Sequence, residues 1–227
     1  MIIITGASSG VGKFLFDTYT ELGEEVYGTY NTSIPENTNH NGHYNKVDIV
    51  KYGEVENWIN SINVLKEIVL INCAGITYND FAHKADVELW KKVIDVNLIG
   101  TFNVIRTVLP LMRKENFGRI INFSSVVAQK PTPGISAYAA SKAALWGMAK
   151  SISIENASKG ITINNINLGY SELGMIKEVP EKYKASIKAG IPSGEFCRKE
   201  DLFKCVEFVR GNNYLNGSSI DLNGGIY

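Results

Sequence analysis

The chain has 227 residues, 44% of them hydrophobic, which is enough material for one sizeable core. Lys plus Arg and Asp plus Glu each total 23, so there is no global basic field for nucleic acid or anionic lipid. No apolar run approaches the roughly 20 residues of a membrane-spanning helix, and Met1 to Gly6 lacks the basic segment and cleavage site of a secretion signal. Cys73, Cys197 and Cys205 form no CxxC pair, so reduced thiols and a cytoplasmic location are expected. His40, His43 and His83 lack clustered partners, and no metal site is expected.

Short apolar runs alternate with helix-length amphipathic stretches. Ile2–Thr5 reads as a strand, Lys13–Leu22 as a helix, and Glu25–Tyr30 and His43–Val47 as strands on either side of a polar surface loop at Asn31–Gly42. Tyr52–Asn63 is helical, Ile68–Asn72 a strand, and Val87–Asn97 and Leu98–Lys114 two helices. Arg119–Ser124 is a strand, Ala137–Ser158 a long helix and Ile161–Leu168 a strand; Glu200–Val209 (helix) and Ser219–Leu222 (strand) close the chain. The strands lack polar alternation, which predicts a parallel sheet covered on both faces. The β-α rhythm predicts one doubly wound α/β domain, a Rossmann-type fold, across residues 1–227. Residues 171–198, with scattered Gly and Pro and weak periodicity, read as an excursion beside the sheet that would serve as a substrate lid.

The first strand runs into Thr5-Gly6-Ala7-Ser8-Ser9-Gly10-Val11-Gly12 and then a helix. Residues without Cβ let the backbone turn tightly and approach a pyrophosphate, and the helix aims free N–H groups at it. An ordinary glycine-rich βα turn is the alternative, and the position on the first strand favours the phosphate reading. After the second strand comes Gly28-Thr29-Tyr30-Asn31-Thr32-Ser33, with no acid before Glu36 to bond a ribose 2′-hydroxyl. This favours NADP over NAD, with Asn31 nearby; Lys13 is either part of that site or a solvated helix residue.

Tyr138-Ala139-Ala140-Ser141-Lys142 places Tyr and Lys at i and i+4 on one helix face. A neighbouring ammonium would stabilise a phenolate and bring tyrosine toward a working pH. An ordinary surface Tyr–Lys pair is the bland alternative, but the surrounding small residues leave room for a cofactor. Ser124 and Ser125 end a strand at the side of the sheet where ligands of open α/β sheets bind, though a serine pair also serves as a simple cap. Asn72-Cys73-Ala74-Gly75 would let a cofactor lie against the backbone.

Taken together, Thr5–Gly12, Asp48, Asn72–Gly75, Asn97, Ser125, Tyr138 and Lys142 resemble the motif set of the short-chain dehydrogenase/reductase family, in its order and spacing. Ser125-Val126-Val127, Ile191-Pro192-Ser193-Gly194 and the ending Asn223-Gly224-Gly225 are most similar to its bacterial β-ketoacyl-acyl-carrier-protein reductases. The resemblance implies an NAD(P)H-dependent oxidoreductase with a sheet of about seven strands. Tyr138 would be the general acid, Ser125 would orient the carbonyl, and Lys142 would bond the nicotinamide ribose and lower the tyrosine pKa. Asn97 would hold a water that relays protons. Gly6, Ser8, Ser9, Gly10, Val11 and Gly12 would cradle the pyrophosphate. Asp48 and Ile49 would meet the adenine, and Asn72, Ala74, Gly75, Gly169 and Ser171 would border the cofactor. Ser124 is expected to be structural.

One departure stands out: Leu168 and Leu173 replace the Pro and Thr the family carries after this strand, so nicotinamide contacts would fall to backbone at Tyr170 and Ser171. The expected reaction interconverts a carbonyl and a secondary alcohol, with 3-oxoacyl reduction on a carrier-linked chain as one candidate. A polyol, sugar or hydroxy-acid dehydrogenase and a cofactor-binding regulator without turnover are the rivals. Tyr170, Met175, Ile176, Tyr183 and Ile187 would line the substrate pocket. Helices Leu98–Lys114 and Ala137–Ser158 carry apolar surplus at Phe102, Val104, Ile105, Val108 and Leu111, and at Ala144, Leu145, Trp146, Met148 and Ile152. The resemblance implies that these helices pair in a homodimer or homotetramer, with the C-terminal Ile226-Tyr227 as a second contact. No nucleic acid or membrane partner is expected.

Overall fold

Runs of Ile, Val and Leu that are apolar on both faces become the strands of one parallel sheet. They are β1 (Ile2–Thr5), β2 (Val26–Tyr30), β3 (His43–Lys46), β4 (Val69–Asn72), β5 (Gly118–Ser125), β6 (Ile161–Leu168) and β7 (Ser219–Leu222). The spatial order is β3-β2-β1-β4-β5-β6-β7, so the chain reverses direction across the sheet at β1. The computed structural model describes residues 1–33, 35, 42–63, 66–174, 176 and 179–226. Most of the Asn31–Gly42 loop, Met175 and Tyr227 therefore lie outside the described residues.

Helices α1 (Gly10–Glu21), α2 (Tyr52–Ser61), α3 (Val87–Ile94), α4 (Thr101–Glu115), α5 (Ser136–Asn156), α6 (Glu181–Ala189) and α7 (Lys199–Gly211) complete the element set. One core lies between the sheet and α2, α4 and α5. It joins Ile3, Leu70, Ile120 and Ile163 to Val55, Ile59, Val104, Ile105, Val108, Ala149 and Ile152. The opposite core joins Ile2, Ile4, Ile71 and Ile121 to Leu15, Phe16 and Tyr19 of α1 and Leu202, Val206 and Val209 of α7. Each such side chain contributes about 1.5–3 kcal/mol on burial.

Three features differ from the sequence expectation. Helix α1 begins at Gly10 rather than Lys13, because an extended Ser9 already caps the turn. The helices expected at Val87–Asn97 and Leu98–Lys114 are one rod interrupted by a π-helical turn, Asp95–Gly100. This rod, Val87–Glu115, is long and apolar enough to cross a membrane, but Val93, Val104, Ile105, Val108 and Met112 are spent on the core. Finally, α6 forms within the excursion, where periodicity was weak.

The sheet face under α4 and α5 changes character toward its carboxyl end. The apolar row Ile3–Leu70–Ile120–Ile163 is followed by a polar row in register: Thr5, Asn72, Asn122, Asn165 and Ser219. These side chains join across five strands. Thr5 Oγ1 donates to Asn72 Oδ1 (3.5 Å), Asn72 Nδ2 to Asn122 Oδ1 (2.9 Å), Asn122 Nδ2 to Asn165 Oδ1 (3.1 Å), and Asn165 Nδ2 to Ser219 Oγ (3.0 Å). Buried amides are tolerable only when paired, and each here finds its neighbour. Asn122→Ala leaves the Asn72 amide and the Asn165 carbonyl buried without partners, at about 1–3 kcal/mol each. Urea unfolding is expected to show a lower midpoint with an unchanged slope; an unchanged midpoint would contradict the row as a stabilising unit.

Candidate active site

The turn after β1 is built by close backbone approach. Gly6 has φ +67°, and a Cβ there would lie 2.7 Å from the Ala74 Cα; one on Gly12 would lie 2.2 Å from the Gly6 carbonyl oxygen. The Gly6 amide donates to Thr29 Oγ1 (3.3 Å) and the Ala7 amide to the Thr29 carbonyl (2.7 Å), which ties the turn to β2. The first turn of α1 carries no acid, so its free N–H groups and positive dipole end face the crevice unopposed. Lys13 is ion-paired with Asp17 one turn on and still borders the cleft. These residues fit a dinucleotide: the backbone cradle a pyrophosphate needs is the one that any Cβ at Gly6 or Gly12 would destroy.

Beside this turn, the end of β5 meets α5. Ser125, buried at the last position of β5, accepts a hydrogen bond from the Val127 amide (3.3 Å), and its hydroxyl lies near that of Tyr138. Lys142 is only 5% exposed, and its Nζ donates to the Phe123 carbonyl (2.7 Å). Burial lowers its pKa to about 8 from the usual 10.5, with Cys73 opposing. Tyr138 moves the other way from the sequence expectation. Burial raises its pKa, the neighbouring Ser125 hydroxyl opposes that shift, and the Lys142 Nζ lies 5.6 Å from the ring centroid, committed to Phe123. Ser124 faces away from this group and donates to the Lys142 carbonyl (2.9 Å).

Asn97 sits in the π-helical turn, 1% exposed. Its Oδ1 accepts from the Ile76 amide (2.8 Å), and its Nδ2 donates to the Ile76 carbonyl (2.9 Å) and to Ser141 Oγ (3.0 Å). Both amide hydrogens are used, while Oδ1 keeps a second lone pair. The π-turn makes room for this by widening the helix where Asn97 points inward.

Other expected cofactor residues divide. Gly6, Ser9, Gly10, Val11, Gly12, Ala74, Gly75, Gly169 and Ser171 line the same cleft as Ser125, Tyr138 and Lys142. Asn72 does not: it is buried in the amide row, and its side chain is consumed there. Ser8, in the turn, is outside the cleft lining, as are Asn31, exposed just past β2, and Asp48 and Ile49, just past β3. Asp48 Oδ1 accepts from the Val50 amide (3.1 Å), and the Ile49 carbonyl accepts from Asn103 Nδ2 (3.0 Å). Ser171 Oγ donates to the Cys197 carbonyl (3.3 Å) and the Tyr170 carbonyl accepts from the Cys197 amide (2.8 Å), which ties this segment to the chain at Cys197.

The cleft has a volume of about 1260 Å³. Sequence reading anticipated Tyr170, Ile176 and Ile187 in its wall, but Tyr183 lies outside the lining. The wall also holds Ile76 and Val179, from two separate loops, and the charged rim Arg198, Lys199 and Glu200, none of which the sequence singled out. Leu173 also packs into the α1–α7 core, which explains a leucine at that position. Among the described residues no cluster of His, Cys, Asp or Glu could hold a metal.

The short chain dehydrogenase family profile matches residues 1–184. The chain belongs to the short-chain dehydrogenase family. It is accordingly a nicotinamide-dependent oxidoreductase that acts on a carbonyl. Among the family's members, a 3-oxoacyl-[acyl-carrier-protein] reductase from Escherichia coli is 31% identical over 99% of this chain and 96% of its own length. An acetoacetyl-CoA reductase from Allochromatium vinosum is 35% identical over 77% of this chain and 75% of its own length. In fold, the chain is similar to the crystal structure of a 3-oxoacyl-[acyl-carrier protein] reductase from Brucella melitensis (TM-score 0.89, 22% identity), covering 100% of this chain and 90% of that one.

The depressed pKa of Lys142 carries a stability consequence. Its folded value, about 8, lies below the unfolded 10.5, so the unfolded chain binds more protons between these values and stability rises with pH there. The penalty for the buried charge is fully present below pH 8 and is relieved toward pH 10.5. Lys142→Met is therefore expected to melt higher than wild type at pH 7, with the gap narrowing through that window. A gap independent of pH, or a variant that melts lower at pH 7, would contradict the assignment.

Proposed function

We propose that this enzyme reduces a 3-oxoacyl thioester to the 3-hydroxyacyl thioester, with NADPH as the preferred cofactor. The observation that carries the reading is that the Ser125 and Tyr138 hydroxyls open together with Lys142 onto one cleft with the glycine turn. When bound, the nicotinamide supplies hydride to the carbonyl carbon. Ser125 donates to the carbonyl oxygen and fixes its direction. The Tyr138 O–H, neutral because burial raises its pKa, gives its proton to that oxygen as the C–O π pair localises there. Lys142 holds the ribose side of the cleft and offers a proton route back to the phenolate. Asn97 anchors Ile76 and Ser141 around Gly75, whose added Cβ would stand 3.5 Å from Lys142 Nζ.

The thioester class is supported by the substrates named for the relatives and by the apolar walls Val126, Val127, Val179 and Ile187. Residues 171–198 act as the lid on this domain, hinged where Ser171 bridges to Cys197 at its two ends. The cofactor preference rests on the end of β2, where Asn31, Thr32 and Ser33 are exposed and follow the strand without an acid among them. The free cysteines fit a cytoplasmic setting.

Homo-oligomerisation through α4 and α5 is part of the reading, on a smaller surface than the sequence suggested. Val104, Ile105, Val108, Leu145 and Ile152 are core, Trp146 is turned onto the sheet, and Ile226 is buried against Val126 and Ile191 of its own chain. Phe102, 41% exposed, and Ile99, with half-buried Met148, remain for a partner.

Tyr138→Phe removes the proton donor and keeps the ring. It should lower turnover of a 3-oxobutyryl thioester by about 10²–10⁴-fold, while calorimetric titration still shows NADPH binding more tightly than NADH, as in wild type. Retained turnover would refute the acid, and equal or tighter NADH binding would refute the cofactor preference. Light scattering at micromolar concentration is expected to give a multiple of 25.0 kDa; a monomeric mass would rule out the α4–α5 interface.

A further inference from the structure

The row of sheet residues beyond the amide row carries a second polar network, and it ends on the backbone of Lys142. Ser124, Asn167 and Asp221 are register partners on β5, β6 and β7. Trp146, one turn beyond Lys142 on α5, donates its indole N–H to both Asn167 Oδ1 (2.8 Å) and Ser124 Oγ (3.1 Å). Ser124 Oγ donates in turn to the Lys142 carbonyl (2.9 Å). Asn167 Nδ2 donates to Asp221 Oδ1 (2.7 Å), and the other carboxylate oxygen accepts from Gln129 Nε2 (3.2 Å) in the segment just after Ser125. The network therefore grips α5 next to Lys142 and grips the chain on both sides of Ser125.

We propose that Trp146 is a positioning residue: through Ser124 on one arm and Asn167, Asp221 and Gln129 on the other, its N–H fixes the spacing between Ser125 and the Tyr138–Lys142 helix. This rests on the assignment of Ser125, Tyr138 and Lys142 above. The physical demand is plain. Tyr138 and Ser125 must both reach one carbonyl oxygen, they sit on different elements, and small displacements of reacting groups cost rate steeply. Packing alone fixes a helix along the direction of contact but lets it slide along the sheet. A directional bond from the helix into β5 and β6 opposes that slide. A tryptophan chosen only for bulk would need some partner for its N–H, yet would have no reason to choose the serine that also holds Lys142.

Trp146→Phe deletes the N–H and keeps most of the ring's bulk; Ser124→Ala deletes the hydroxyl both arms share. Each should lower kcat with NADPH and a 3-oxobutyryl thioester by roughly fivefold to tenfold, the rate equivalent of one lost hydrogen bond, and leave NADPH affinity unchanged. The double variant should lose less than the product of the two, since both remove one device. Hydrogen exchange reads the same coupling without turnover: Trp146→Phe should speed exchange in 124–130 as well as near 146. Unchanged kcat together with acceleration confined to α5 would overturn the proposal and leave Trp146 as packing. Tyr138→Phe, assayed alongside, separates the two ideas: if it retains turnover the general acid is wrong, whereas the exchange pattern still decides on Trp146.

Discussion

A lysine ammonium buried at the carboxyl end of the sheet is the constraint on which the site depends. Lys142 is held by one backbone carbonyl, that of Phe123, and its pKa falls to about 8 under the burial. A charge in such a place is costly unless its surroundings are fixed. The surroundings are fixed by three layers: the apolar rows below, the amide row from Thr5 to Ser219, and the Trp146 network at the same level as the ammonium. Each layer moves the sheet face from hydrocarbon toward donors and acceptors as the cleft is approached. Stability is given up at Lys142 for chemistry, as stored strain and buried charge at functional sites commonly require.

Most of the fold was legible because parallel strands buried on both faces write themselves as unbroken apolar runs. All seven strands match their sequence expectations to within a residue or so at each end. The less visible parts have physical reasons. The π-turn at Asp95–Gly100 is invisible to a 3.6-residue period, since a single wide turn barely perturbs it. Helix α6 has no fully buried face, so its sequence shows little periodicity. The interface estimate was inflated for a related reason: an apolar stripe on α4 or α5 looks the same whether it meets the sheet or a second chain.

The site was legible in its chemistry and less so in its accessory residues. Ser125, Tyr138, Lys142 and the glycine turn come together because β1 and β5 end at the same carboxyl edge of a parallel sheet and Tyr138 and Lys142 lie in the first two turns of α5. Asn72 shows what a motif leaves out. An asparagine beside a glycine-rich loop looks like a ligand contact, but in register with Asn122 and Thr5 it is a rung of the sheet. The rung was unreadable without knowing which strands are neighbours, and the same holds for Ser124, Asn167 and Trp146, which lie in three different elements.

On the function proposed above, these groups transfer a proton to the oxygen of a carbonyl while a nicotinamide is oxidised. The direct measurement is the stoichiometry of wild-type turnover: NADPH consumed against 3-hydroxybutyryl thioester formed from the 3-oxobutyryl thioester. One alcohol is expected per NADPH oxidised, with a single stereoisomer produced, because Ser125 and Tyr138 fix one face of the carbonyl. NADPH that binds and is never oxidised by this thioester would contradict it.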